Sequence, residues 1–188
     1  RGKYALVTGA RVKIGFQAAL KLLRAGAHVV VVTRFPVDAA GRYALEPDFD
    51  AFRDRLQVHG LDLRHAPSVE LFARWLGERL PRLDFVLNNA CQTVRRPAGF
   101  FRHLLEREAE PLASLPQAWQ ALLGQHDALC RSITGASDAA GGQLVTGPAR
   151  TPGDGLVHSA ALSQRRYLDD DFLEGETLFP AGRFDEDR

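Results

Sequence analysis

The chain has 188 residues, 45% of them hydrophobic, 25% charged and 9% aromatic, with 17 Gly and 10 Pro. These are the proportions of an ordinary soluble globular protein, and they exclude general disorder, a collagen and a coiled coil. The formal net charge of +1 offers no electrostatic case for nucleic acid or a membrane surface as partner, although Arg1, Lys3, Arg11, Lys13, Lys21, Arg24 and Arg34 all precede the first acid, Asp38. The first predicted element is a strand over Tyr4 to Thr8, an apolar run closed by Gly9. A helix follows from about Ile14 to Ala25, with Ile14, Ala18 and Leu22 on one face and Gly26 as its stop. His28 to Thr33 carries four consecutive valines and reads as a buried second strand, halted at Pro36.

Phe49, Phe52 and Leu56 fall at helical spacing, so the next helix is expected over Asp48 to Arg55, then a third strand near Val58 to Leu61. Pro67 opens a long amphipathic helix that ends before Pro81, and Leu83 to Leu87 forms a fourth strand. The alternation of strand and helix to this point predicts an α/β fold with a doubly wound parallel sheet in three α/β/α layers. After Cys91 the rhythm breaks into a loop at Thr93 to Pro97, helices at Phe100 to Ala109 and Pro116 to Ser132, and a Gly-rich stretch at Gly135 to Gly155 containing the strand-like trio Gln143-Leu144-Val145. Because ligands of doubly wound sheets bind at the carboxyl ends of the strands, residues 1–91 are expected to be a dinucleotide-binding βαβ core and 92–188 an irregular segment of the same domain, placed to act as a substrate lid. Asp169-Asp170-Asp171 reads as a solvated face. The six His are scattered, and no metal site is expected. Cys91 and Cys130 in a chain of this length need no disulfide framework, which makes a reducing cytoplasm the expected compartment.

Chemistry concentrates at three strand ends. The turn Thr8-Gly9-Ala10-Arg11-Val12-Lys13-Ile14-Gly15 leads a buried strand into a helix, aiming backbone N–H groups and the positive end of the helix dipole at one point, as a pyrophosphate requires. It is neither G-x-G-x-x-G nor a Walker loop. Asp62-Leu63 follows the third strand, and Asn88-Asn89-Ala90 the fourth. With these three motifs the sequence resembles the short-chain dehydrogenase/reductase family: Thr8, Gly9, Ile14 and Gly15 match its glycine motif, Lys13 replaces the middle glycine, and Cys91 replaces the last glycine of Asn-Asn-Ala-Gly. The resemblance covers residues 2 to about 91. It implies that Asp62 and Leu63 meet the adenine ring and that Asn88, Asn89 and Ala90 steady the sheet beside the cofactor. It also implies a carbonyl or alcohol substrate and a homodimer or homotetramer.

Charge argues for the cofactor. NAD sites usually place a carboxylate at the end of the second strand, whereas this one ends Thr33-Arg34, with Arg11 and Lys13 on the same side. NADP is expected in preference to NAD. The family's catalytic Tyr-x-x-x-Lys pair is absent: the tyrosines are Tyr4, Tyr43 and Tyr167, and no Lys follows Lys21. Gly155 to Ser159 resembles a fifth strand, but Ser159 stands too close to Tyr167 for the family's spacing, and Asp171 would raise rather than lower the Tyr167 pKa. No catalytic residue is assigned. The expected protein is an NADP(H)-dependent oxidoreductase of which this chain is the N-terminal part, its sheet incomplete. The alternative is a catalytically inactive dinucleotide-binding regulator or interaction protein.

Overall fold

A computed structural model describes residues 1–91, 96–135 and 151–165. Four parallel strands, β1 (Tyr4–Thr8), β2 (His28–Thr33), β3 (Leu56–Gly60) and β4 (Phe85–Leu87), form one sheet in the order β3-β2-β1-β4. Tyr4 pairs with His28, Val29 with Leu56 and Ala5 with Phe85. The order reverses direction between β1 and β4, and in open α/β sheets ligands bind at that reversal, outside the carboxyl ends of the strands.

The strand residues alternate between two cores. Ala5, Val7, Val29, Val31 and Val58 face α1 (Lys13–Arg24) and α2 (Pro36–Ala44), where Ala19, Leu20, Leu23 and Tyr43 fill the layer. Leu6, Val30 and Val32 face α3 (Ala66–Arg79), with Phe72, Trp75 and Leu76 against them. The four valines of β2 are thus required because both faces are covered, and each buried side chain contributes about 1.5–3 kcal/mol. A short α4 (Arg102–Glu108) follows β4, and α5 (Gln117–Thr134) lies along β3, sending Leu122 and Leu123 into the first core and Leu129 into the second. On the opposite side no further strand among the described residues pairs with β4, and Phe85 is 45% and Val86 52% exposed.

Two expected elements differ. The helix placed at Asp48–Arg55 is instead two 3-10 turns, Phe49–Ala51 and Arg53–Arg55, whose Phe49 and Phe52 plug the first core. The helix lies earlier, at α2: Pro36, read as a strand stop, occupies its first turn, where a missing N–H costs nothing. The strand-like Gly155–Ser159 does not join the sheet but forms the helical turn α6 (Asp154–Val157). Its backbone is held elsewhere: Asp62 N donates to Gly155 O at 2.8 Å, and Gly155 N donates to Ser68 Oγ at 2.8 Å. Gln143-Leu144-Val145, Asp169-Asp170-Asp171 and Tyr167 lie outside the described residues.

Candidate functional site: the cleft at the sheet reversal

Where β1 meets α1, two glycines permit a close approach of backbones. Gly9 has a φ of +64°, and a Cβ on it would stand 2.8 Å from Ala90 Cα. A Cβ on Gly15 would stand 2.4 Å from both Asn89 Nδ2 and Gly9 O. That space is used by the Asn89 side chain, which donates from Nδ2 to Thr8 O and Gly9 O, both at 3.1 Å. Thr8 Oγ1 accepts from Ala90 N at 2.9 Å, so the ends of β1 and β4 are locked together. From the other side the buried Tyr43 hydroxyl donates to Ala10 O at 2.8 Å, and burial raises its pKa far above the ordinary value. Tyr43 thereby holds the turn. Lys13, where the family has glycine, retains a left-handed φ of +53°. Above this turn α1 begins with no side-chain cap and no acid in its first turn, leaving its N-terminal N–H groups and positive dipole end for a ligand.

At the end of β2 the Arg34 guanidinium carbon lies 4.8 Å from the centre of the Phe101 ring and 5.5 Å from that of Phe35. Among the described residues no carboxylate pairs with it, whereas burial, the neighbouring Arg64 and Arg11 lower its pKa to about 10 despite Asp62. Arg11 is only 6% exposed and donates from Nη1 to Asp38 Oδ2 at 2.8 Å, an oxygen that also receives Arg42 Nε at 2.6 Å. The first acid in the chain therefore returns to the first turn, tethering Arg11, but it stays out of the cleft wall. Thr33 Oγ1 accepts from Phe35 N at 3.2 Å and shapes the same corner.

After β3, Asp62 is 2% exposed. Burial works against its charge, yet the Arg64 guanidinium, bound at 2.9 Å and 3.1 Å through Nε, holds its pKa below the usual carboxylate value. Arg64 also donates to Leu162 O at 3.0 Å, and Ser159 Oγ donates to Arg34 O at 3.0 Å, so the segment 151–165 braces both cationic residues.

Ten of the twelve expected residues, Gly9, Arg11, Lys13, Ile14, Thr33, Arg34, Asp62, Leu63, Asn89 and Ala90, line one cleft of about 620 Å³. Gly15 stands behind it as the space for Asn89, and Asn88 is exposed outside the lining. The sequence reading missed Phe35, Arg64, Arg96, Phe100 and Phe101. The first two directly follow predicted residues and could have been found by extending each motif one position. The last three come from beyond β4, where no periodicity marks them. Among the described residues the wall carries five cations and one acid, Asp62, already bound by Arg64. Such a wall suits a polyanionic ligand with a flat ring system.

A family model described as short chain dehydrogenase matches residues 3–122. "Uncharacterized protein R665" of Acanthamoeba polyphaga mimivirus is 37% identical over 124 residues, covering 62% of this chain and 25% of that protein. Retinol dehydrogenase 14 of Mus musculus is 35% identical over 112 residues, covering 53% of this chain and 34% of that protein. The chain thus spans about a quarter to a third of the length of these relatives. A solved structure described as a metagenomic short-chain oxidoreductase in complex with NADP is 26% identical, covers 85% of this chain and 70% of its own, and superposes with a TM-score of 0.42.

Proposed function

Because this chain belongs to the short-chain dehydrogenase family, we propose that its cleft binds NADP(H) in preference to NAD(H), for hydride transfer between the nicotinamide and a small carbonyl or alcohol. The cofactor supplies the redox chemistry, and the protein supplies binding, orientation and electrostatics. Gly9, Ile14, Lys13 and the N-terminus of α1 would hold the pyrophosphate, with Gly15 and Asn89 fixing the turn that presents them. Asp62 and Leu63, stiffened by Arg64, would border the adenine ring, and Asn88 and Ala90 would border the sheet end beside it. Arg34, Thr33 and Arg11 would take the 2′-phosphate.

One observation carries the choice of cofactor: the Arg34 guanidinium, beside the adjoining Phe35 and Phe101 rings, has no carboxylate partner among the described residues and stands near two further arginines. A phosphate relieves that repulsion. A ribose hydroxyl does not. Residues 1–91 serve as the dinucleotide core, and the segment beyond supplies Phe100 and Phe101 to the cleft wall. The proposed setting is the cytoplasm, and no helix among the described residues is long and apolar enough to cross a membrane.

Titration with NADPH and NADH tests the reading. NADPH should bind at least tenfold more tightly, a difference of about 1.4 kcal/mol, and Arg34→Asp should abolish the preference. Equal affinities, or a preference untouched by Arg34→Asp, would overturn it. A second reading, a dinucleotide-binding regulator that performs no chemistry, is favoured by the missing Tyr-x-x-x-Lys pair in these 188 residues. It predicts tight NADPH binding without oxidation of NADPH in the presence of any of a panel of aldehydes and ketones.

A further inference from the structure

A second cavity, of about 330 Å³, lies on the other side of α2, between its N-terminus, α4, α5 and the segment 157–161. It is apart from the cleft, and its chemistry is independent of which dinucleotide the cleft binds. Leu105, Leu115 and Leu123 give it an apolar wall, and Glu108, His126 and Cys130 give it a polar one. Among the described residues no Lys or Arg lines it, whereas five line the cleft.

Glu108 is the centre of interest. Its two carboxylate oxygens accept from Val37 N at 3.0 Å and Asp38 N at 2.9 Å, the first free N–H groups of α2. Among the described residues no cation forms an ion pair with it. The end of a helix offers roughly half a positive charge, so a full carboxylate there is only partly compensated. Burial pushes its pKa up to about 8, a rise resisted by the two N–H bonds and by Arg11 and assisted by Asp38. Burial lowers the His126 pKa to about 4, so its ring is neutral, and its nitrogens rest 3.7 Å and 3.8 Å from the Cys130 sulfur. Asp127 is occupied by Arg131 within α5, and Glu106 and Glu110 are exposed at the rim. Among the described residues no group of three ligands suits a metal ion.

We propose that this cavity binds a small organic ammonium ion, with its apolar body against Leu105, Leu115 and Leu123 and its cationic head against the Glu108 carboxylate. The chemistry is that of pairing a poorly compensated carboxylate with a cation in a site shielded from water, while the leucines bury the carbon skeleton. Ser159 closes the far wall: a Cβ at Gly60 would stand 2.6 Å from its Oγ and 2.9 Å from His126 Nε2, so glycine at the end of β3 allows both to converge there.

Benzylammonium and its uncharged analogue benzyl alcohol provide the test, titrated at mildly alkaline pH and followed by calorimetry and by the imidazole NMR signals of His126 and His158. Benzylammonium should bind saturably and shift both signals, and benzyl alcohol should bind at least tenfold more weakly. Glu108→Gln, which keeps one oxygen acceptor for one of the two α2 N–H groups and removes the charge, should weaken benzylammonium at least tenfold. Ala161→Trp, which adds bulk to the cavity from a residue that takes no part in the Glu108 hydrogen bonds, should do the same and decides the matter if Glu108→Gln fails to fold. Each variant is accepted as folded only if its far-UV circular dichroism matches that of the parent and it unfolds cooperatively. Absence of saturable binding, equal binding of the alcohol, unchanged affinity in Glu108→Gln or Ala161→Trp, or displacement of benzylammonium by NADPH would each overturn the proposal.

Discussion

The two cavities flank one corner of the fold, and the helix termini beside them are treated in opposite ways. The N-terminus of α1 has no side-chain cap and no acid in its first turn, so its positive end opens into a cleft already rich in arginine. The N-terminus of α2 carries Asp38 in its first turn and receives Glu108 from α4, so its N–H groups are consumed by protein carboxylate. Helix dipoles are alike in every helix. What differs is whether the sequence supplies the anion or leaves the position to a ligand, and that choice separates a cationic cleft from an acidic cavity.

The largest effect expected from disturbing this arrangement is on the cleft side. Glycine-to-alanine changes inside helices normally gain up to about 1 kcal/mol, but Gly15→Ala should lose about 3 kcal/mol, because its Cβ would stand only 2.4 Å from both Asn89 Nδ2 and the Gly9 carbonyl oxygen. Denaturant unfolding of the variant measures this directly, and a stabilised Gly15→Ala would remove Asn89 from its assigned role.

On the cavity side the expected effect is a pH dependence with two opposed slopes. His126, with a pKa lowered to about 4 by burial, contributes stability that is present above the ordinary histidine pKa of 6.5 and is lost as pH falls toward 4. His59, lowered in the same direction by burial and by His126, adds to this. Glu108, with a pKa raised from 4.5 to about 8, contributes stability present below 4.5 and lost as pH rises through 8. Each slope amounts to about 1–2 kcal/mol between pH 5 and 7 after allowance for partial exposure, and in the parent protein they largely cancel. Stability curves of Glu108→Gln should therefore fall on acidification, and those of His126→Asn should fall on the alkaline side. Parallel curves for the two variants would show that neither group titrates as assigned.

The smallest effect belongs to Lys13. Its left-handed φ of +53° is strained for a residue with a side chain. Lys13→Gly should stabilise the fold by about 0.5–1 kcal/mol and weaken NADPH severalfold through loss of one charge, measured by thermal unfolding and by titration. The two signs together distinguish a position kept for binding from one kept for folding.

The first βαβ unit was legible residue by residue, because a strand covered on both faces must be apolar throughout and a sharp turn into a helix must carry glycine. The same logic found the ends of β3 and β4, which is why ten predicted residues converge on one cleft. It failed at Pro36, where the same residue that ends a strand also starts a helix. It failed again at Phe49 and Phe52, whose spacing of three suits a 3-10 turn as well as an α-helix. Gly155 to Ser159 had the composition of a strand, but strand formation needs a neighbouring edge, and the hydrogen bonds to Asp62 and Ser68 hold it beyond the end of β3.

Local rules thus decided the parallel strands, the glycine turn and the excess of positive charge at the N-terminus, since each depends on residues a few positions apart. Long-range contacts decided the remainder. Asp38 returns to Arg11 across 27 residues, Glu108 reaches the N-terminus of α2 across 70, and Ser159 meets Arg34 across 125. No periodicity encodes such pairings. They are selected when folding removes water from charged and polar groups, each of which must then find a partner wherever the chain happens to bring one.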